Sequence, residues 1–130
     1  MPDVKRAPFQ YAALRIIPRV ERGEAVNAGV VLFCRPMRFL GARTHLDASL
    51  LRALAPGCEP SAVATLLTTM EKIAAGEPGG GPIAALPPSE RFHWLVAPAS
   101  TIVQPGPVHT GLTSDPAGEL DRLFVRLVER

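Results

Sequence analysis

Apolar and polar positions alternate along the first third of the chain, and the rhythm then becomes helical. From Gln10 to Ile17 the run QYAALRII places Tyr11, Ala13, Arg15 and Ile17 on one face of an extended segment and Ala12, Leu14 and Ile16 on the other. Its aromatic and β-branched content suits a strand, and Pro18 marks its end. A charged turn centred on Arg22-Gly23-Glu24 follows. Asn27 to Cys34, NAGVVLFC, is then almost wholly apolar, as expected of a central strand covered on both faces. Pro36 turns the chain into a third strand, Phe39 to Thr44, so the opening third reads as an antiparallel meander.

Asp47 is placed to cap a short helix, ASLLRALA, which Pro56-Gly57 stops. Pro60 opens a second helix in which Val63, Leu66, Leu67, Met70 and Ile73 recur at spacings of three and four, closed by Gly76. Its Met and Leu belong to a core stripe. Glu77 to Pro88 is a Gly/Pro-rich loop, either a connector or a flap. Beyond it Phe92, Trp94 and Val96 alternate with His93, Leu95 and Ala97, which predicts strand, turn and a second extended run over Thr101 to Gln104. Asp115-Pro116 begins a last helix with Leu120, Leu123, Phe124, Leu127 and Val128 in one stripe. The expectation is one α+β domain over 10–130, with helices packed on one face of a mostly antiparallel sheet, preceded by a loose arm over 1–9.

Composition narrows the classes. At 130 residues the chain can bury a core without a disulfide or metal staple, and Cys34 and Cys58 are too few for a disulfide framework. No apolar run approaches the roughly 20 residues that cross a bilayer, and the N-terminus lacks a secretory pattern, so a cytoplasmic setting without membrane contact is expected. The net charge of +2 is spread along the chain rather than clustered, which argues against nucleic acid as a partner. Twelve of the fourteen basic residues are Arg, which fits a GC-rich coding bias and lowers what arginine abundance says about function. Asn27, the sole Asn, gains interest by the same bias.

Candidate chemistry gathers in two polar blocks. Ser89 to Leu112 holds the only Trp and two of the three His, interleaving Ser89, Arg91, His93, Trp94, Gln104 and His109 with apolar runs and prolines. Arg22, Glu24 and Asn27 form the other block, read as one edge of a polar cleft. There Asn27 would fix a backbone group by its amide and Gly29 would let another segment approach. Trp94 reads as core, and alternation sets Arg91 and His93 against Phe92 and Trp94, so that one set faces a partner, a cleft or water.

Catalytic motifs are missing. His45, His93 and His109 lack the close ligand pairs of zinc sites, so neither a metal nor a cofactor is expected. Ser89, Ser100 and Ser114 lack a G-x-S-x-G elbow, and Gly79-Gly80-Gly81 lacks the following Lys and Ser/Thr of a phosphate loop.

YAALRIIPRVERGEAVNAGVVLFC, RFLGARTHLD and PIAALPPSERFHWLVAPASTIVQPGPVHTGLT together resemble the bacterial domain of unknown function 3037 family, from about Gln10 to Val128. The residues carrying the resemblance are Arg22, Gly23, Glu24, Asn27 and Gly29 in the first block. In the second they are Ser89, Arg91, His93, Trp94, Gln104, Pro105, His109 and Gly111. The resemblance implies no catalytic role for any of them. It does imply a gene encoded near HipA-like kinases, hence an accessory role beside such a partner in a toxin-like or regulatory module. The dense contact side chains of the two blocks, without a chemical motif, lead to the expectation that they form one recognition surface for it. The alternative is an enzyme or ligand-binding domain for a phosphorylated small molecule or nucleotide, with Arg22, Arg91, His93 and His109 converging on one pocket.

Overall fold

In the computed structural model, which describes residues 5–99 and 101–130, the chain is organised around two long central strands. β1 (Ala7–Ile16) pairs antiparallel with β2 (Val26–Cys34), and β2 pairs with β3 (Phe39–Thr44). The other edge of β1 is shared by two short strands, β4 (Val103–Pro105) against Leu14 to Ile16 and β5 (His109–Thr113) against Ala7 to Tyr11. Between them the Gly106 amide donates to the Ala13 carbonyl at 2.7 Å. The result is a five-stranded antiparallel sheet. Residues 1–4 of the expected arm and Ser100 lie outside the described residues. β1 begins at Ala7, earlier than the expected Gln10, because Ala7 and Phe9 are buried in the core.

Helices cover both faces of this sheet, where the sequence reading put them on one. Ala12, Leu14, Ile16, Val31 and Phe33 pack under α1 (Ala48–Leu54), α2 (Pro60–Ala75) and α3 (Pro88–Leu95), through Leu51, Leu67, Phe92 and Leu95 among others. Phe9, Val30, Leu32 and Cys34 pack instead against Leu120, Leu123 and Phe124 of α4 (Pro116–Leu127). The two sets alternate along β1 and β2, so α4 closes the second face of strands that are apolar on both sides. Arg43 of β3 clasps α4 from outside, its guanidinium 4.2 Å from the Phe124 ring centroid and 2.9 Å from Asp121.

The caps follow from the sequence. Asp47 accepts from the Leu50 amide and starts α1, Asp115 accepts from the Gly118 amide and starts α4, and Gly76, at φ 72°, ends α2 in the left-handed conformation that suits glycine. The Gly/Pro loop after it is not featureless. Pro78–Gly80 and Pro82–Ala85 form two 3₁₀ turns.

The main local correction falls on Pro88 to Leu95, which is helical rather than extended. Pro88 occupies the first helical turn, Glu90 lies in that turn where the macrodipole favours an anion, and Phe92 and Leu95 are buried at a spacing of three. Alternation at 92, 94 and 96 fits equally well on paper, and tertiary packing decides for the helix. Trp94 is thereby turned outward, 45% exposed, which corrects its assignment to the core. His93 is exposed beside it.

Candidate functional site

The hairpin between β1 and β2 bears a β-bulge that determines where Asn27 points. Leu14 pairs with Gly29, but Arg15 pairs with Asn27, so Ala28 is passed over and the alternation of β2 shifts. Asn27 thus emerges on the α4 face, where its Nδ2 donates to the Leu127 carbonyl at 3.1 Å. The amide does fix a backbone group, and that group is the end of α4. Gly29 likewise admits a close neighbour, since a Cβ there would lie 2.8 Å from the Arg43 carbonyl oxygen.

On that same face, beyond the end of α4, part of β1 is left uncovered. Tyr11 and Arg15 form the floor of a cavity of about 220 Å³, with Gly106 and His109 on one side and Asn27 and Leu127 on the other. Tyr11 and His109 are directly paired across β1 and β5, their rings 5.3 Å apart at 35°. The Arg15 Nε is buried and has no hydrogen-bond partner among the described residues. Asn27 and His109, one from each polar block, therefore do meet at one cavity. Tyr11 and Arg15 were missed, although a charged residue on one face of an otherwise apolar strand was the available signal.

The remaining candidates disperse. Arg22 and Glu24 form an exposed ion pair at 2.7 Å in the β1–β2 turn. The hydrogen bond from Arg22, and then its charge, hold the Glu24 carboxyl below its ordinary range, and Glu24 correspondingly raises Arg22. Ser89 lies at the other end of β2, beside Phe33 and Arg35. At about 3.3 Å per residue the nine residues of β2 put these two ends on the order of 25 Å apart. Apart from Asn27 and His109, the two blocks thus do not merge into one surface.

Arg91 is a capping residue. Its Nη1 donates to the Ile73 and Ala74 carbonyls at 3.0 and 2.7 Å, and its Nε to Leu86 at 2.9 Å, satisfying the C-terminal end of α2. Gln104 donates to the Thr101 carbonyl at 2.9 Å. Arg22, Arg91, His93 and His109, expected to converge if the chain were an enzyme of the kind outlined above, occupy four separate surroundings.

Trp94 contributes to a second concavity, on the opposite face of the sheet. Leu66 and Met70 of α2, Leu95, Pro98 and Val103 line it with the indole, around a volume of about 290 Å³. Its walls are apolar almost throughout. Among the described residues no group of three His, Cys, Asp or Glu is placed to hold a metal ion. No helix among them is long and apolar enough to cross a membrane. Cys34 and Cys58 are free thiols, the first buried.

Fold and cavities define the class: a small α+β protein on one antiparallel sheet, with a polar cavity on one face and an apolar groove on the other. Within that class the chain belongs to the family described as Protein of unknown function (DUF3037), which it matches over residues 11–128. No match was found among curated proteins or among solved structures.

Proposed function

We propose that the chain is a small accessory protein of the bacterial cytoplasm, working by binding another protein, and that the groove around Trp94 receives apolar side chains of that partner. The observation that carries this reading is the position of the single tryptophan, 45% exposed at the rim of an apolar groove. Large aromatic side chains left partly in water are frequent anchors of protein interfaces, where burying them supplies much of the binding energy.

The adjoining sheet edge favours one mode of engagement for such a partner. β4 is an edge strand, but Pro105 has no N–H to donate and the Val103 carbonyl already accepts from the Thr101 hydroxyl at 2.7 Å. An added strand would find few open partners there. Inserted side chains, as from an apolar helix face, fit the groove better.

A HipA-like kinase, the partner suggested by the family resemblance, is the first to try. Calorimetry of the purified chain with a HipA-like kinase of the same genome is expected to give one-to-one binding. Trp94→Ala should weaken it by about 2 kcal/mol or more, as for an interface anchor, while Arg22→Gln leaves it intact. Absence of binding at micromolar concentrations, or equal binding by the Trp94 variant, would count against the proposal.

A further inference from the structure

The cavity over β1 holds a feature that the protein-binding reading leaves unused. The Arg15 Nε is sequestered from solvent and donates to nothing among the described residues. A buried donor without an acceptor is uncommon and costly, because its hydration is lost without replacement. The three ion pairs among the described residues engage Arg22, Arg43 and Arg122, leaving Arg15 without a carboxylate. No Asp or Glu lines the cavity.

Two further arrangements favour negative charge there. The C-terminal end of α4, whose carbonyls would repel an anion, is already engaged: Asn27 donates to Leu127, and Arg130 Nη1 donates to Val128 at 3.1 Å. Tyr11 and His109 add a phenol and an imidazole to the same wall, both able to donate to an oxygen. Gly106 lies close beside the guanidinium, since a Cβ at that position would stand in van der Waals contact with the Arg15 Nε, at 3.5 Å.

We propose that this cavity binds an oxyanion, a phosphate or carboxylate group of a small metabolite, with Arg15, whose side chain lines the cavity, donating through the Nη end of its guanidinium as a fork while Nε stays sealed behind it. The volume of about 220 Å³ suits a small metabolite rather than a whole nucleotide. Tyr11 and His109 are the secondary donors. The site lies across the sheet from the Trp94 groove, so it stands or falls separately from the protein-binding reading.

The test follows the Arg15 Nε–H signal of the full chain by nitrogen-15 NMR as inorganic phosphate, or separately acetate, replaces chloride at constant ionic strength. A saturable shift is expected with a Kd of about 1 mM or tighter, and the tighter of the two probes distinguishes phosphate from carboxylate recognition. By the same readout on nearby signals, Arg15→Lys should weaken binding about tenfold or more, since an ammonium lacks the fork. His109→Ala should weaken it about threefold or more through one lost hydrogen bond. Trp94→Ala and Arg22→Gln should bind as the parent does. Should Arg15→Lys fail to fold, the parent titration and the exposed His109 position still decide. The proposal is overturned if neither anion gives a saturating shift, if His109→Ala binds as tightly as the parent, or if Arg22→Gln weakens binding as much as the cavity variants.

Discussion

Asn27 and Arg91 both stand out in the sequence as polar residues with something specific to hold, and both hold helix ends. Asn27 reaches the Leu127 carbonyl, and Arg91 takes the last carbonyls of α2 together with Leu86. The need for contact was legible in the residue types; the identity of the contact was not, because the acceptors are backbone groups brought close only by the fold. Arg91→Ala should lower stability by about 2–3 kcal/mol, the loss of charge-assisted hydrogen bonds in a part-buried setting, while Asn27→Ala should lower it by about 1 kcal/mol. Urea unfolding followed by circular dichroism measures both. A reversed order would contradict the capping roles. Trp94→Ala, by contrast, should cost about 1 kcal/mol or less, well below the roughly 3–5 kcal/mol of a core aromatic, as judged in the same experiment.

Among the elements, those with a long or unambiguous period were legible and the short ones were not. α2 declares itself over sixteen residues of three- and four-residue spacing, and β1 and β2 by alternation and by continuous apolarity. α3 has eight residues, too few for a strand period and a helical period to separate, and only Phe92 and Leu95 seated against the sheet settle it. β5 escaped for another reason. Its inner face carries Gly111, and the apolar surface there comes from the Phe9 ring of the neighbouring strand, 2.7 Å from where a Gly111 Cβ would stand. The bulge in β2 is likewise invisible as a pattern, yet it redirects Asn27 to the α4 face. Gly29 next to it has no room for a side chain, since the obstacle is the backbone of β3. Gly29→Ala is therefore expected to destabilise by about 1–3 kcal/mol, as overpacking does. An unchanged thermal midpoint in calorimetry would show that the β2–β3 approach is looser than described.

At the scale of the whole molecule, the α+β class and the antiparallel sheet were readable, but the division of labour between the two faces was not. A nearly all-apolar β2 already implied cover on both sides, and α4 supplies the second cover. This layout separates what the sequence suggested was a single polar surface. The Arg15 cavity opens beside α4, and the Trp94 groove opens among α2, α3 and β4. With only one Trp in the chain, its fluorescence reports on that groove alone. The most direct measurement is acrylamide quenching and emission of Trp94 in the free protein and during titration with a HipA-like kinase. Red-shifted, readily quenched emission is expected in the free state, moving to the blue and becoming shielded in step with binding. A free protein whose indole is already blue-shifted and shielded, or a complex that forms while Trp94 stays equally open to quencher, would contradict that expectation.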